Sequence, residues 1–322
     1  MMIVEMTQVG GPEVLGLVER PAPTPGPGEI LIRQKAVGLN FIDTYYRSGL
    51  YPMPLPGVLG SEGAGVVEDV GEGVTRFKAG DHVAYAGGFG AYAQARTYSA
   101  DRAVHVPMDI SHQVAAAVML KGMTAEFLLH RCFKVLPGQT VLIHAAAGGV
   151  GSLLVQWAKA LGARVIGTAG SPEKAELARS FGADEVILYR QENVPERVRA
   201  LTEGLGVAVV YDSVGRDTID ASIDSLARRG LLVTFGNASG PAPPVDPLRL
   251  MRGGSLSMTR PTLFDYIVTT DELDASAAAV FAAIRSGAIT PQIGQTFALN
   301  EVADAHRALE SRQTTGSTLL VP

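Results

Sequence analysis

The sequence predicts an α/β fold in which a doubly wound parallel sheet is joined to a region of short antiparallel strands. From about residue 121, short buried strands alternate with helical stretches, which is typical of a parallel sheet with helices on both faces. Before residue 121, short strands are separated by turns rich in proline and glycine. The chain has 322 residues, which fits about two domains.

The N-terminal region is predicted to consist of short strands. A rigid loop at residues 21–28 alternates proline, which fixes φ, with glycine, which permits reversal of the chain. Strands are predicted over residues 29–37 and 63–71, and a turn at residues 79–81 leads into a further strand. This spacing favours an antiparallel barrel or sandwich.

The central region begins with a buried strand at residues 141–144 and a glycine-rich loop at residues 148–151. The apolar residues that follow recur at helical spacing and form one face of a predicted helix: Val150, Leu153, Leu154, Trp157, Ala158 and Leu161. Gly162 is expected to end that helix in the left-handed conformation. Ser171 is expected to cap a second helix, with Pro172 at its first position.

Five further strands complete the predicted sheet, at residues 164–167, 185–189, 207–211, 231–235 and 255–259. Six such strands fit a dinucleotide-binding sheet. Beyond residue 262 the sequence predicts a helix at residues 272–285 and a shorter one near residues 304–309.

Composition excludes several classes of protein. The net charge of −5 argues against a nucleic-acid-binding protein, which would need a basic excess. Cys132 is the single cysteine, so neither an intrachain disulfide nor a Cys-rich zinc site is expected. No apolar run has the length of a membrane span, and the N-terminus lacks a basic segment followed by an apolar one. We therefore expect a cytoplasmic protein without a membrane partner.

The glycine-rich loop lies where a parallel sheet binds ligands, after the first strand and at the start of the first long helix. There, the free N–H groups and partial positive charge of a helix N-terminus attract a pyrophosphate. Compared with the G-x-G-x-x-G pattern, the loop has Ala146 in place of the first glycine and retains Gly148 and Gly151. Its position between strand and helix indicates a dinucleotide site.

The end of the second predicted strand indicates which dinucleotide binds. NAD-selective folds usually carry an acidic residue there, whereas residues 166–171 contain none. Ser171 offers a hydrogen bond and Lys174 a positive charge to a 2′-phosphate, so the sequence favours NADPH. The simpler explanation, that Ser171 only caps the helix and Lys174 is only a solvated lysine, stays open.

Four stretches of the chain carry a resemblance to a known family: residues 40–52 (NFIDTYYRSGLYP), 144–151 (HAAAGGVG), 210–215 (VYDSVG) and 235–237 (FGN). Together they resemble the quinone oxidoreductases of the zinc-independent branch of the medium-chain dehydrogenase/reductase superfamily. The resemblance covers essentially the whole chain, and it is more specific for the family than for the substrate.

The resemblance implies a GroES-like β-barrel catalytic domain at residues 1–121 and 262–322. A Rossmann domain for NADPH, at residues 122–261, is inserted between these two segments. The active site is expected in the cleft between the domains. A homodimer is also implied, in which the last sheet strand, at residues 255–259, meets its counterpart.

Zinc-dependent relatives in the superfamily hold a catalytic zinc with a Cys and a His at the positions of Asn40 and Ser61, neither of which is a competent zinc ligand there. The lobe of four structural cysteines is also missing. The histidines show no metal-like spacing: His82, His105, His112, His130, His144 and His306. We therefore expect no metal site, so that the reaction runs without a Lewis acid and suits an intrinsically electrophilic acceptor.

The resemblance places Asn40, Asp43, Tyr45 and Tyr51 at the catalytic site. Asn40 is expected to hold the cofactor or to donate a hydrogen bond to a quinone oxygen. Tyr45 and Tyr51 are expected to stack on a planar acceptor or to donate to its developing oxyanion. Asp43 is expected to orient its neighbours. Without the resemblance, a tyrosine-rich segment more often serves packing.

The resemblance also implies a set of NADPH-binding residues: Thr124, Gly148, Gly149, Val150, Gly170, Ser171, Lys174, Tyr189, Ser213, Phe235, Asn237, Phe264 and Arg312. Tyr189 and Ser213 end predicted strands, where cofactor-facing groups lie. Arg312 is included only because of its position in the family, and Arg260 is a weaker candidate on the same ground. Cys132 is expected to be an inert thiol.

Three functions fit these observations. The first is an NADPH:quinone oxidoreductase. The second is an NADPH-dependent double-bond reductase of α,β-unsaturated ketones or aldehydes, because a quinone and an enone are both flat conjugated carbonyls. The third is a protein that binds NADPH without catalysis.

Overall fold

All 322 residues are described by the structure, a computed structural model. The chain forms two compact units. Unit 1 comprises Met1–Met123, Ile267–Ala282 and Pro291–Pro322, and unit 2 comprises Thr124–Tyr266 and Ala283–Thr290. The boundaries predicted from the sequence lie at 121/122 and 261/262, with residues 283–290 in the C-terminal segment. None of the helices combines the length and apolar character that crossing a membrane requires.

The chain up to Phe127 contains eight strands and two helices. They are β1 (Met2–Met6), β2 (Gly16–Glu19), β3 (Glu29–Leu39), α1 (Phe41–Arg47), β4 (Gly57–Val58), β5 (Glu62–Val70), β6 (His82–Ala86), β7 (Ala95–Ser99), β8 (Ala103–His105) and α2 (His112–Phe127). A π-helical turn, Leu128–Cys132, follows α2 directly.

The central part of the chain alternates strands and helices. They are β9 (Thr140–Ile143), α3 (Gly149–Ala160), β10 (Arg164–Ala169), α4 (Pro172–Ser180), β11 (Glu185–Leu188), α5 (Val194–Leu201), β12 (Val207–Asp212), α6 (Ile219–Asp224), β13 (Leu226–Thr234), α7 (Pro247–Arg252) and β14 (Ser257–Thr259). The last part contains α8 (Thr270–Arg285), β15 (Ile293–Ala298), α9 (Val302–Glu310) and β16 (Ser317–Val321).

Unit 1 is built on two sheets. One has the order β2-β1-β4, and the other has the order β15-β16-β3-β5-β6-β8, with β7 also paired to β3. Pairing of Thr318 in β16 with Leu39 in β3 joins the C-terminal end of the chain to its N-terminal part. The buried core between these strands includes Ile32, Val83 and Leu320.

Unit 2 contains one six-stranded parallel sheet in the order β11-β10-β9-β12-β13-β14. Its chain order reverses between β9 and β12, which is the doubly wound arrangement that binds ligands outside the carboxyl ends of the strands. Leu142, Ile166 and Val210 are fully buried in its core. The predicted α/β fold, with a GroES-like domain and a Rossmann sheet, is confirmed.

The predicted helix signals are also confirmed. Gly148 caps α3, and Gly162, just beyond its end, has a φ of +82°. Ser171 caps α4, and its hydroxyl accepts a hydrogen bond from the Lys174 N–H. Pro172 occupies the first turn, as its missing N–H allows.

Two helices correct the prediction that residues 1–120 form only strands and turns. Helix α2 has no polar stripe because residues 115–119 are all buried, so its sequence shows no helical period of polar and apolar residues. Helix α1 has only seven residues, too few for a periodic pattern to appear.

Candidate active site

The glycine-rich loop of unit 2 is shaped to receive a phosphate group. The first N–H groups of α3, starting at Gly149, have no acceptor within the helix. A Cβ atom at Gly151 would lie 2.1 Å from the Ala145 carbonyl oxygen, so no other residue fits there. The chain therefore brings backbone N–H groups close to any pyrophosphate at the start of the helix.

Most of the predicted NADPH-binding residues in unit 2 lie at one edge of its sheet. They follow the carboxyl ends of β9 to β13: Gly148, Gly149, Val150, Gly170, Ser171, Lys174, Tyr189, Ser213, Phe235 and Asn237. This is the edge at which doubly wound sheets bind dinucleotides.

The other predicted cofactor residues lie elsewhere. Thr124 is in α2 and Phe264 is in a 3-10 turn, Leu263–Asp265. Arg312 belongs to unit 1, where it occupies an exposed left-handed turn with a φ of +59° after α9. The roles of all these residues stay predictions.

The loop between β10 and α4 lies next to the end of β11. A Cβ atom at Gly170 would lie 2.7 Å from the Tyr189 hydroxyl oxygen, so the phenol packs over this glycine. The Ser171 hydroxyl is engaged by the Lys174 N–H and by the Glu173 carboxylate, and the second contact lowers the pKa of Glu173. The structure thus shows Ser171 as a helix cap and places Tyr189 beside it.

The loops after β12 and β13 also meet. The Ala238 N–H donates to the carbonyl oxygen of Ser213, at 3.3 Å between nitrogen and oxygen. The Arg260 guanidinium donates to the Gly236 carbonyl (2.9 Å) and to the Thr234 hydroxyl (3.2 Å), so this arginine braces the end of β13. These contacts bring Ser213 and the Phe235–Asn237 stretch together.

In unit 1, Asn40 and Asp43 sit at the start of α1. The Asn40 N–H donates to Asp43 Oδ2 (2.9 Å), and the Asn40 side-chain amide donates to Glu62 Oε1 (2.9 Å). Asp43 is fully buried and accepts further hydrogen bonds from the hydroxyls of Ser61 (3.1 Å) and Tyr92 (3.0 Å). Burial raises the pKa of Asp43 to about 6, although these donors act to lower it. The sequence predicts that Asp43 orients its neighbours, and that role stays a prediction.

An aromatic group lies around the C-terminal end of α1. The Tyr51 ring meets the edges of Tyr45 (5.4 Å between centroids) and Tyr46 (5.7 Å), and Tyr46 meets Phe89 (4.7 Å). Tyr45 is almost buried, whereas Tyr46, Tyr51 and Phe89 are partly exposed. Burial raises the pKa of Tyr46, which keeps its phenol protonated and able to donate. Such a group offers flat, polarisable surfaces to a planar ligand.

A buried ion pair was missed by the sequence analysis. Lys121 Nζ lies 2.5 Å from Glu62 Oε1, and both side chains are almost completely buried. Glu62 Oε2 also accepts the Leu120 N–H at 2.7 Å, and its Oε1 receives Asn40. Hence Asn40 is held by a carboxylate that α2 fixes in place. Lys121 and Glu62 are 59 residues apart, and no short motif connects them.

The two positions that align with zinc ligands hold hydrogen-bonding side chains. Asn40 donates to Glu62, and Ser61 donates to Asp43. No group of three or more His, Cys, Asp or Glu side chains is arranged to hold a metal ion. Cys132 lies half-buried in the π-helical turn, and burial raises the pKa of its thiol, which keeps it protonated.

Comparison with known proteins agrees with this architecture. Residues 26–130 match the alcohol dehydrogenase GroES-like domain family, and residues 149–282 match the family described as zinc-binding dehydrogenase. The chain is 54% identical to the quinone oxidoreductase of Pseudomonas aeruginosa, over 99% of both chains. It is 45% identical to the 2-haloacrylate reductase of a Burkholderia species, over 97% of this chain and 96% of that one.

The structural comparison gives the same result. The Escherichia coli quinone oxidoreductase, solved as a complex with NADPH, superposes with a TM-score of 0.98 at 48% identity, over 100% of both chains. The resemblance stated from sequence is confirmed. The chain belongs to the quinone oxidoreductases of the medium-chain dehydrogenase/reductase superfamily.

Proposed function

We propose that this protein is an NADPH-dependent quinone reductase that works without a metal ion. The observation that carries the proposal is its identity of 54% with a quinone oxidoreductase along the full length of both chains. We infer that no metal is needed because the two positions at which the resemblance implies zinc ligands in zinc-dependent relatives hold Asn40 and Ser61 here.

The residues of unit 2 fit NADPH. The cradle at Gly151 admits no side chain, and the helix that follows offers its N-terminal N–H groups to a pyrophosphate. Residues 166–172 contain no carboxylate that would repel a 2′-phosphate. Lys174, whose N–H bonds Ser171, supplies a charge, and Tyr189, which packs over the neighbouring Gly170, supplies a phenol. A relative that is 48% identical was solved with NADPH.

The residues of unit 1 fit a planar acceptor. NADPH, when bound, supplies a hydride, and a quinone takes it up readily because its reduction makes an aromatic ring. The rings of Tyr45, Tyr46 and Tyr51 hold the acceptor flat and exclude water, and a phenol donates a hydrogen bond to the oxygen on which charge develops. Asn40, held by Glu62, and Asp43 position these groups.

We also propose that the protein is a cytoplasmic homodimer that binds neither nucleic acid nor membrane. Strand β14 supports the dimer, since it lies at the edge of the six-stranded sheet with β13 as its one neighbour. An uncovered edge strand is a ready surface for pairing with a second copy. The side chains of Leu248 and Met251 on α7, which precedes β14 in the chain, are also exposed and apolar. The net charge of −5 argues against nucleic acid.

The test is NADPH consumption by purified, EDTA-treated protein on addition of 1,4-benzoquinone, followed by loss of the near-ultraviolet absorbance of NADPH. We expect a rate that saturates with both substrates and exceeds the rates without protein and with heat-inactivated protein. Tight NADPH binding without quinone-dependent turnover would contradict the proposal. That result would favour the third function, binding of NADPH without catalysis.

A second function is favoured by one observation. A relative that is 45% identical is a 2-haloacrylate reductase, and an acrylate carries a conjugated carbon–carbon double bond. Reduction of an α,β-unsaturated ketone or aldehyde would use the same cofactor site and needs a proton donor for the α-carbon, for which Tyr45 or Tyr51 is suited. Faster turnover of enones than of quinones would select this function.

A further inference from the structure

Four side chains beneath the cofactor-binding edge of unit 2 form a continuous buried polar cluster: His144, Thr168, Asp212 and Ser222. His144 follows β9, Thr168 lies in β10, Asp212 ends β12 and Ser222 lies in α6. None of the four is more than 2% exposed. The two nitrogens of His144 contact Thr168 Oγ1 (3.1 Å) and Ser222 Oγ (3.0 Å), and Ser222 Oγ contacts Asp212 Oδ2 (2.7 Å).

The hydrogen bonds of the cluster all run in one direction. Burial raises the pKa of Asp212, but the hydrogen bonds that it accepts from the Ser222 hydroxyl, the Gly215 N–H and the Thr218 hydroxyl act to lower it, and its pKa lies below the usual value, so Asp212 is ionised and only accepts. Ser222 therefore donates to Asp212 and accepts from His144 Nε2–H. Burial lowers the pKa of His144, which keeps the ring neutral, so Nδ1 accepts from the Thr168 hydroxyl.

Both ends of the cluster reach loops that carry predicted cofactor residues. Asp212 Oδ1 accepts the N–H groups of Val214 (2.8 Å) and Gly215 (3.0 Å), which closes the loop around Ser213. At the other end, Thr168 accepts the Ala146 N–H on its carbonyl (3.0 Å) and the Ala145 N–H on its hydroxyl (3.4 Å).

The conformation of the glycine-rich loop depends on these contacts. Ala145 has a φ of +51°, an uncommon conformation for a residue with a side chain. Its carbonyl is the atom that Gly151 approaches, so a shift of Ala145 would move the start of α3. If the cluster served only to pair its own buried polar groups, it would not need hydrogen bonds to the backbone N–H groups of a loop at each end.

We propose that the buried polar cluster fixes the glycine-rich loop relative to the Ser213 loop, so that His144, Thr168, Asp212 and Ser222 are positioning residues for both ends of the bound dinucleotide. The consequence for binding rests on the proposed function, because it takes NADPH as the ligand. The side chains of the cluster bond the glycine-rich loop and the Ser213 loop, which face parts that NADPH and NADH share, so we expect it to act equally on both.

Two pairs of variants test the proposal. Ser222→Ala breaks the cluster, and Ser225→Ala is its matched control, because Ser225 is an equally buried serine at the end of the same helix whose hydroxyl bonds only the Ala221 carbonyl. Thr168→Val removes a hydroxyl without changing the shape of the side chain, whereas Thr168→Ser keeps the hydroxyl. Kd values for NADPH and NADH are measured from the fluorescence of Trp157, well below each variant's Tm.

We expect Ser222→Ala and Thr168→Val to raise both Kd values by the same factor, about tenfold, while Ser225→Ala and Thr168→Ser change them by less than about twofold. Unchanged Kd values in Ser222→Ala, with a loss of Tm like that of Ser225→Ala, would overturn the proposal. An effect on NADPH alone would also overturn it.

Hydrogen exchange of the cofactor-free protein separates this proposal from the proposed function. Ser222→Ala is expected to raise amide exchange at residues 145–148 and at residues 214–215 together, and Ser225→Ala at neither. Increased exchange in one loop alone, or in none, would refute the coupling even if the unmodified protein bound no dinucleotide. Failure of the unmodified protein to bind NADPH would instead refute the proposed function.

Discussion

The Tyr92 hydroxyl lies 3.0 Å from His306 Nε2 in the interior of unit 1. On its other side, His306 Nδ1 lies 3.0 Å from Arg47 Nη1. A guanidinium can only donate, so Nδ1 accepts, Nε2 carries the proton and Tyr92 donates onward to Asp43. One tautomer of a core histidine therefore links α9 to the start of α1, and Glu310 completes the link with two hydrogen bonds to Arg47.

This arrangement predicts acid lability. Burial, together with the Arg47 charge, lowers the pKa of His306 from 6.5 to about 3. Between these values the unfolded chain binds a proton that the folded protein does not, so the free energy of unfolding falls as the pH drops from 6.5 towards 3. When the pH is lowered from 7 to 4.5, we expect the free energy of unfolding to fall by about 2 kcal/mol less in His306→Gln than in the unmodified protein.

Denaturant unfolding at the two pH values measures this difference. His105→Gln is the control, because His105 is exposed and bonds only a backbone carbonyl. Parallel pH profiles for the unmodified protein and His306→Gln would show that His306 is not held neutral.

Asp43 predicts a pH dependence of the opposite sign. Burial raises its pKa from 3.8 to about 6, so the folded protein binds the proton more tightly than the unfolded chain does. The resulting stability is present below pH 3.8 and is lost as the pH rises through 6. The difference in free energy of unfolding between Asp43→Asn and the unmodified protein is expected to shift by about 2 kcal/mol in favour of the variant as the pH rises from 4 to 7. Asp101→Asn, at an exposed position, is the control.

Lys174 is expected to distinguish the two dinucleotides. If its ammonium meets the 2′-phosphate, Lys174→Ala should cost roughly 1–3 kcal/mol of binding free energy for NADPH. The KM for NADPH should rise accordingly, and the KM for NADH should stay nearly unchanged. Steady-state kinetics with both cofactors measure this, with Lys159→Ala as the control, since Lys159 pairs with Asp184. Equal losses with both cofactors would show that the 2′-phosphate is recognised elsewhere.

Tyr51 is expected to act through its ring. Tyr51→Leu removes the surface that meets Tyr45 and Tyr46, so the KM for a quinone should rise by about tenfold, whereas Tyr51→Phe keeps it within about twofold. The KM for NADPH serves as the internal control in both variants. If the two variants were equally impaired, the hydroxyl rather than the ring would be the important group.

Unit 2 could be predicted well because its sequence is locally consistent. The strand and helix periods, the cap at Ser171 and the terminating Gly162 all act within a few residues, and the structure has them as expected. The same locality places most of the predicted cofactor residues at one edge of the sheet, since parallel strands end together.

In unit 1 the resemblance named Asn40, Asp43, Tyr45 and Tyr51, but the residues that support them could not be predicted because their contacts join distant parts of the chain. Arg47 meets His306 across 259 residues, and Lys121 meets Glu62 across 59. His306 has no sequence feature that separates it from a surface histidine. The buried α2 lacks a polar face, so neither the helix nor its lysine was expected there.

The most direct test of the account compares acceptors. Under anaerobic conditions, EDTA-treated protein with saturating NADPH is given 1,4-benzoquinone or an α,β-unsaturated ketone, and kcat/KM is measured for each. We expect the value for the quinone to be at least about tenfold higher, or roughly 1.4 kcal/mol in transition-state free energy. A higher value for the unsaturated ketone would contradict it and identify the protein as a double-bond reductase.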